Sequence, residues 1–113
     1  MHVHYCTVPS NPRAPAVSRV FQDGVELNWI PPREPNGQIK YLVWYKVLRD
    51  TSWIQVDTRS NETYLNITGL HINNHYCFQV IAVGAMGRTL SSVTTYRHRP
   101  QSDGELFKIY IIM

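Results

Sequence analysis

The sequence predicts an all-β fold, a two-sheet sandwich of seven short strands. Three observations carry that reading. Apolar and polar residues alternate over short runs such as VELNW and HYCFQVIAV, and no segment sustains the 3.6-residue period of a helix. Turn signals separate the runs, among them Asp23-Gly24, Asn36-Gly37 and Asp50-Thr51-Ser52. Seven such runs at close spacing suit a sandwich better than a single open sheet. The 113 residues, 43% apolar and 17% charged, hold one ordinary core and are too few for two.

In chain order, TVPSNPRAP contains three prolines and reads as an extended linker, because proline fixes φ and turns its predecessor away from helix. AVSRVF is the first strand. VELNW is the second, with Val25, Leu27 and Trp29 on one face and Glu26 and Asn28 on the other. A proline-rich loop, IPPREPNGQ, leads to the long strand IKYLVWYKVL. Two registers are open there: Tyr41, Val43 and Tyr45 point inward, or Leu42, Trp44 and Lys46 do. Burying Lys46 is costly, which favours the first. WIQV, TYLNITGL and HYCFQVIAV follow as strands, with a polar loop DTRSNE and a corner LHINNH between them. GAMGR is a hairpin loop and TLSSVTTYRH the last strand. These readings divide the chain into a linker or disordered end over 1–11, a domain over 12–99, and a second linker or atypical tail over 100–113. The tail DGELFKIYIIM matches nothing in the domain; it is either the start of a further module or an alternative end.

Composition excludes several classes of function. The net charge of +3 comes from dispersed basic residues; the one tight group is Arg97-His98-Arg99, which argues against nucleic-acid binding. Two cysteines make no disulfide framework. No apolar run approaches the ~18 residues of a transmembrane segment. MHVHYCTVPSNP lacks the charged and apolar regions of a secretory leader, so the chain reads as a piece of a larger protein. There is no nucleophile elbow and no phosphate-binding glycine loop. His71 and His75 stand four apart in a corner, where that spacing does not align side chains. His2, His4 and Cys6 alternate near the N-terminus but lack a fourth ligand, so no metal site is assigned. The expectation is a non-enzyme with no cofactor.

The ordered set WIPP, PNGQI, WIQV, Thr68-Gly69-Leu70 ahead of Tyr76, and the Tyr-x-Phe-x-Val-x-Ala run that Tyr76 begins resembles a fibronectin type III domain across most of the chain. PREPNGQI is especially similar to repeats of receptor-type tyrosine phosphatases; neural adhesion molecules of the immunoglobulin class carry similar repeats. The resemblance implies an immunoglobulin-like sandwich with Trp29, Leu70, Tyr76, Phe78 and Val80 as core and tyrosine corner. Trp29 is large enough to plug the space between the sheets. The Tyr76 hydroxyl is placed to bond backbone a few residues upstream. Asn73 and Asn74 stand where the family often has glycine, and asparagine tolerates left-handed geometry.

The function implied is a non-catalytic protein-binding or spacer module of a larger cell-surface receptor or adhesion protein, in a tandem array with a protein ligand or neighbouring domains as partners. The alternative is an intracellular module of a muscle-scaffold protein. A cytokine-receptor-like role expects a W-S-x-W-S stretch, which is absent. Two triplets, Asn61-Glu62-Thr63 and Asn66-Ile67-Thr68, fit N-glycosylation; about one arises by chance in a chain like this. Asn61 falls in a polar loop and Asn66 points outward from its strand. Trp44, Cys77, Gln79 and Ile81, with Trp53 near the edge, are expected on an outward sheet face. They form either an exposed contact surface or a stripe covered by arginine and lysine stems. Cys77 lies one residue past Tyr76, on the outer face, and Cys6 precedes the first strand at the other end of the sandwich. No Cys6–Cys77 disulfide is expected.

Overall fold

The computed structural model describes residues 11–100. Among these residues the structure is all β, with eight strands in two sheets. Three strands, β1 (Ala16–Phe21), β2 (Gly24–Asn28) and β5 (Tyr64–Thr68), form one sheet with β2 in the centre. The other contains β4 (Ile54–Asp57), β3 (Lys40–Val47), β6 (His75–Gly84), β7 (Gly87–Leu90) and β8 (Thr94–Arg97), with both β7 and β8 pairing the far edge of β6. Every pairing is antiparallel.

The inner faces meet in one core containing Val25, Leu27, Trp29, Tyr41, Val43, Ile67, Leu70, Tyr76, Phe78, Val80 and Ala82. Alternation builds it: Val25 and Leu27 pair with Ile67 and Leu65, and Tyr41 and Val43 pair with Ala82 and Val80. The register of the long strand is therefore the one with Tyr41 and Val43 buried and Tyr45 packed against the core. Lys46 lies on the other face, where its ammonium donates to the carbonyls of Leu48 and Asp50.

The last strand differs from the uninterrupted run that alternation predicts. Ile81 pairs with Leu90 and Phe78 with Thr94, so four steps along one strand face three along the other. Ser91 absorbs the extra residue. Its N–H donates to the Val80 carbonyl at 2.8 Å, and its hydroxyl accepts from the Val80 N–H at 2.9 Å. A side-chain oxygen thus takes the place of a ladder carbonyl, and the strand divides into β7 and β8. A second irregularity falls in β1 between Val17 and Arg19, where the Ser18 hydroxyl lies 3.0 Å from both the carbonyl and the carboxylate of Glu26. Bulges on edge strands of this kind discourage pairing with other chains.

Three backbone positions favour the residues they carry. A Cβ on Gly24 would stand 2.2 Å from the Ile67 carbonyl oxygen, so the close approach of β2 to β5 needs glycine. Asn36 and Gly37 both have positive φ, as the turn signal implies.

Candidate functional site: the corner and the two outer faces

The corner before β6 is built around a single hydroxyl. Tyr76 is buried, and its OH accepts the His71 N–H at 2.7 Å. Leu70 is buried beneath it, and its N–H reaches the Asp23 carbonyl in the β1–β2 turn. Asn73 takes a positive φ of 69°. Its N–H donates to the His98 carbonyl, and the His98 N–H donates to the Asn74 carbonyl. The corner is thereby tied to the end of β8. Phe78 continues the aromatic column, with ring centroids 6.4 Å from Tyr76 and 6.0 Å from Tyr96. Trp29 meets Tyr41 edge to face at 5.4 Å, and its buried indole N–H has no hydrogen-bond partner.

His98 is the residue that sequence reasoning misread. Grouped by sequence with two arginines, it is 0% exposed while Arg97 and Arg99 face solvent. Nε2 lies 3.0 Å from the Gln22 carbonyl, and Nδ1 lies 2.9 Å from the Tyr96 hydroxyl. A carbonyl only accepts, so Nε2 carries the hydrogen, and a neutral ring then accepts from Tyr96 at Nδ1. The available signal was alternation: Tyr96 and His98 share the inward phase of the last strand. Burial raises the pKa of Tyr96, offset in part by the Arg99 N–H, and burial also raises that of Tyr41.

The outer face of the β3–β6 sheet corrects an expectation. Cys77 is 5% exposed and Ile81 0%, so neither belongs to an open contact surface. Both lie on the central strand with cross-strand neighbours on each side: Lys46 and Thr95 flank Cys77, and Leu42 and Leu90 flank Ile81. Gln79 is half-buried and donates to the Ser91 carbonyl. Trp44 and Trp53, both half-buried, stand 6.1 Å apart. The Arg88 guanidinium covers Trp44 at 5.5 Å and the Lys46 ammonium covers Trp53 at 5.2 Å. The Trp44 indole also donates to the Gln55 side chain. Of the two readings of this stripe, the covered one describes the geometry. Cys77 is a buried free thiol; Cys6 lies outside the described residues.

The outer face of the β1–β2–β5 sheet is open. Tyr64, Asn66 and Thr68 project from β5 beside Asn28, Glu26 and Gly24 of β2. Tyr64 is 54% exposed. Its pKa is raised by a hydrogen bond to Glu62, by the charge of that carboxylate, and to a lesser extent by burial and by Glu26. Asn61 is exposed in the loop before β5, where Arg59 takes a left-handed φ of 56° and donates its N–H to the Asp57 carboxylate. It lines a groove of about 410 Å³ together with Gln38, Lys40, Ser60, Gly84 and Ala85.

Among the described residues no three metal-ligating side chains gather, and His71 and His75 are exposed in the corner. His2, His4 and Cys6 lie outside the described residues. Among the described residues, no helix is long and apolar enough to cross a membrane.

The architecture, with three strands packed on a larger sheet and a tyrosine corner ahead of β6, is that of an immunoglobulin-like sandwich. The chain belongs to the fibronectin type III domain family, whose model matches residues 10–97. It is 34% identical over 88 residues to the neural cell adhesion molecule L1 of Takifugu rubripes, covering 74% of this chain and 7% of that protein. It is 32% identical over 105 residues to the tyrosine-protein phosphatase Lar-like of Caenorhabditis elegans, covering 88% of this chain and 5% of that protein. Among solved structures, domains A168–A170 of titin superpose with a TM-score of 0.72 at 29% identity, over 82% of this chain and 33% of that one. The chain spans 5–7% of the length of the receptor and adhesion relatives it matches. Modules of this family occur in receptor and adhesion proteins and in titin-like muscle proteins, and are in general non-catalytic.

Proposed function

We propose that the chain is a non-catalytic spacer or protein-binding module of a larger cell-surface receptor or adhesion protein, in line with neighbouring domains. The observation that carries this reading is the exposure of the asparagine in both glycosylation triplets. Asn61 and Asn66 present their side chains to solvent at positions where an attached glycan leaves the core undisturbed. The adhesion and receptor-phosphatase relatives support the same setting. Staining of intact, unpermeabilised cells with an antibody against this domain tests it: surface signal is expected. Signal only after permeabilisation overturns it.

The similarity to titin favours a second reading, an intracellular structural module in a muscle-scaffold protein. Co-localisation with the sarcomere, with no surface signal, is the outcome that selects it.

A further inference from the structure

The outer face of β5 carries an exposed aromatic ring beside an exposed sequon asparagine. We infer that Asn66 bears an N-linked glycan whose first N-acetylglucosamine packs on the ring of Tyr64. The inference rests on the extracellular reading above.

Residues 64, 66 and 68 lie on one face of the strand, because β side chains alternate. Their Cα atoms are therefore about 7 Å apart in succession. Tyr64, Asn66 and Thr68 are all exposed, whereas Ile67 between them is buried and Leu65 half-buried. The triplet thus presents its amide and its hydroxyl to the same solvent side. Among the described residues no aromatic ring pairs with Tyr64 on this face: its cross-strand neighbour is Asn28, and that of Asn66 is Glu26. The Glu26 carboxylate is held by the Ser18 hydroxyl, and the Tyr64 hydroxyl is held by Glu62. With 54% of its surface exposed, Tyr64 keeps ring surface open to solvent on this side of the strand. An N-acetylhexosamine has one face of C–H bonds, and stacking it on an aromatic ring removes apolar surface of both from water. Asn61 lacks this arrangement, since its loop neighbours are Ser60 and Glu62 and it opens on the groove beside Lys40.

The transfer joins the Asn66 amide nitrogen to C1 of the first sugar of a lipid-linked oligosaccharide pyrophosphate. The C1–O bond breaks, the lipid pyrophosphate leaves with the electron pair, and the amide gives up one proton.

The test uses the full chain secreted from animal cells behind an added leader peptide, in an Asn61→Gln background. Intact mass is expected to show one glycan, absent in the additional Asn66→Gln variant. High-mannose protein is then trimmed enzymatically to a single N-acetylglucosamine and its thermal midpoint is compared with that of unglycosylated protein. The trimmed form is expected to melt about 2–5 °C higher. Tyr64→Phe, which keeps the ring and loses the Glu62 bond, is expected to retain most of that gain. Tyr64→Ser is expected to lose more than half. A bare Asn66, or the same gain in Tyr64→Ser, overturns the inference. The leader delivers the chain whatever its native address, so a bare Asn66 counts against this site alone, and absent surface staining counts against the extracellular reading alone.

Discussion

The outward faces of the two sheets behave as opposites. On the β3–β6 sheet, outward residues of the central strand are buried: Cys77 and Ile81 disappear beneath their neighbours, and two tryptophans are roofed by Arg88 and Lys46. On the β1–β2–β5 sheet, the corresponding residues are Glu26, Asn28, Tyr64, Asn66 and Thr68, and the face stays open. Alternation assigns an outward phase to both. Coverage follows instead from the size of the cross-strand neighbours. Leu42, Trp44 and Leu90 are long enough to close over β6 from both sides, whereas Gly24 and Asn28 cover little. An outward side chain is thus a small second core on one sheet and a solvated surface on the other.

Five experiments break or sharpen this contrast. The inner core sets the scale: Phe78→Ala is expected to cost about 3–5 kcal/mol in urea unfolding, by lost burial and the cavity left among Tyr76, Tyr96 and Val80. Ile81→Ala is the decisive comparison. It is expected to cost about 2–4 kcal/mol although its side chain points away from the main core. A loss under about 0.5 kcal/mol, typical of surface sites, would erase the distinction between the faces. Tyr76→Phe removes the acceptor of the His71 N–H while keeping the ring, and is expected to cost about 1–2 kcal/mol. Arg88→Ala uncovers Trp44; a loss of about 0.5–1 kcal/mol with a red shift of tryptophan emission is expected.

The fifth experiment concerns alkaline pH and has no effect at neutrality. Burial raises the pKa of Tyr41 and Tyr96, so in the folded state both keep their protons where the unfolded chain has lost them. Protons bound in excess by the native state mean that stability falls with rising pH. The urea midpoint is expected to stay level between pH 7 and 9 as far as these groups are concerned, and to fall above about pH 10, the unfolded tyrosine value. Tyr41→Phe should make that fall shallower. A midpoint still level at pH 11 contradicts the assignment.

Much of the tyrosine corner and core was legible residue by residue. Val25, Leu27 and Trp29, and likewise Tyr76, Phe78 and Val80, share a phase of period two, and a half-buried strand writes that phase directly into its sequence. The left-handed Asn73 and the Asn36-Gly37 turn were legible for the same reason, since they depend on local backbone sterics. Ser91 was not legible, because its hydroxyl acts on a strand eleven residues away and looks from sequence like any strand serine. The burial of His98 was signalled by its shared phase with Tyr96, but its bond to Gln22, 76 residues distant, was not legible.

The amino-acid sequence by itself determined the class of fold and most of the residues that face the main core, because these follow from short-range alternation, turn chemistry and proline. The tertiary structure alone decided which outward residues are covered, how the last strand breaks at Ser91, and that the Tyr64 ring stands open beside Asn66. Each depends on residues that meet only when strands distant in the chain are laid side by side, and no local pattern records who the neighbour across the sheet will be.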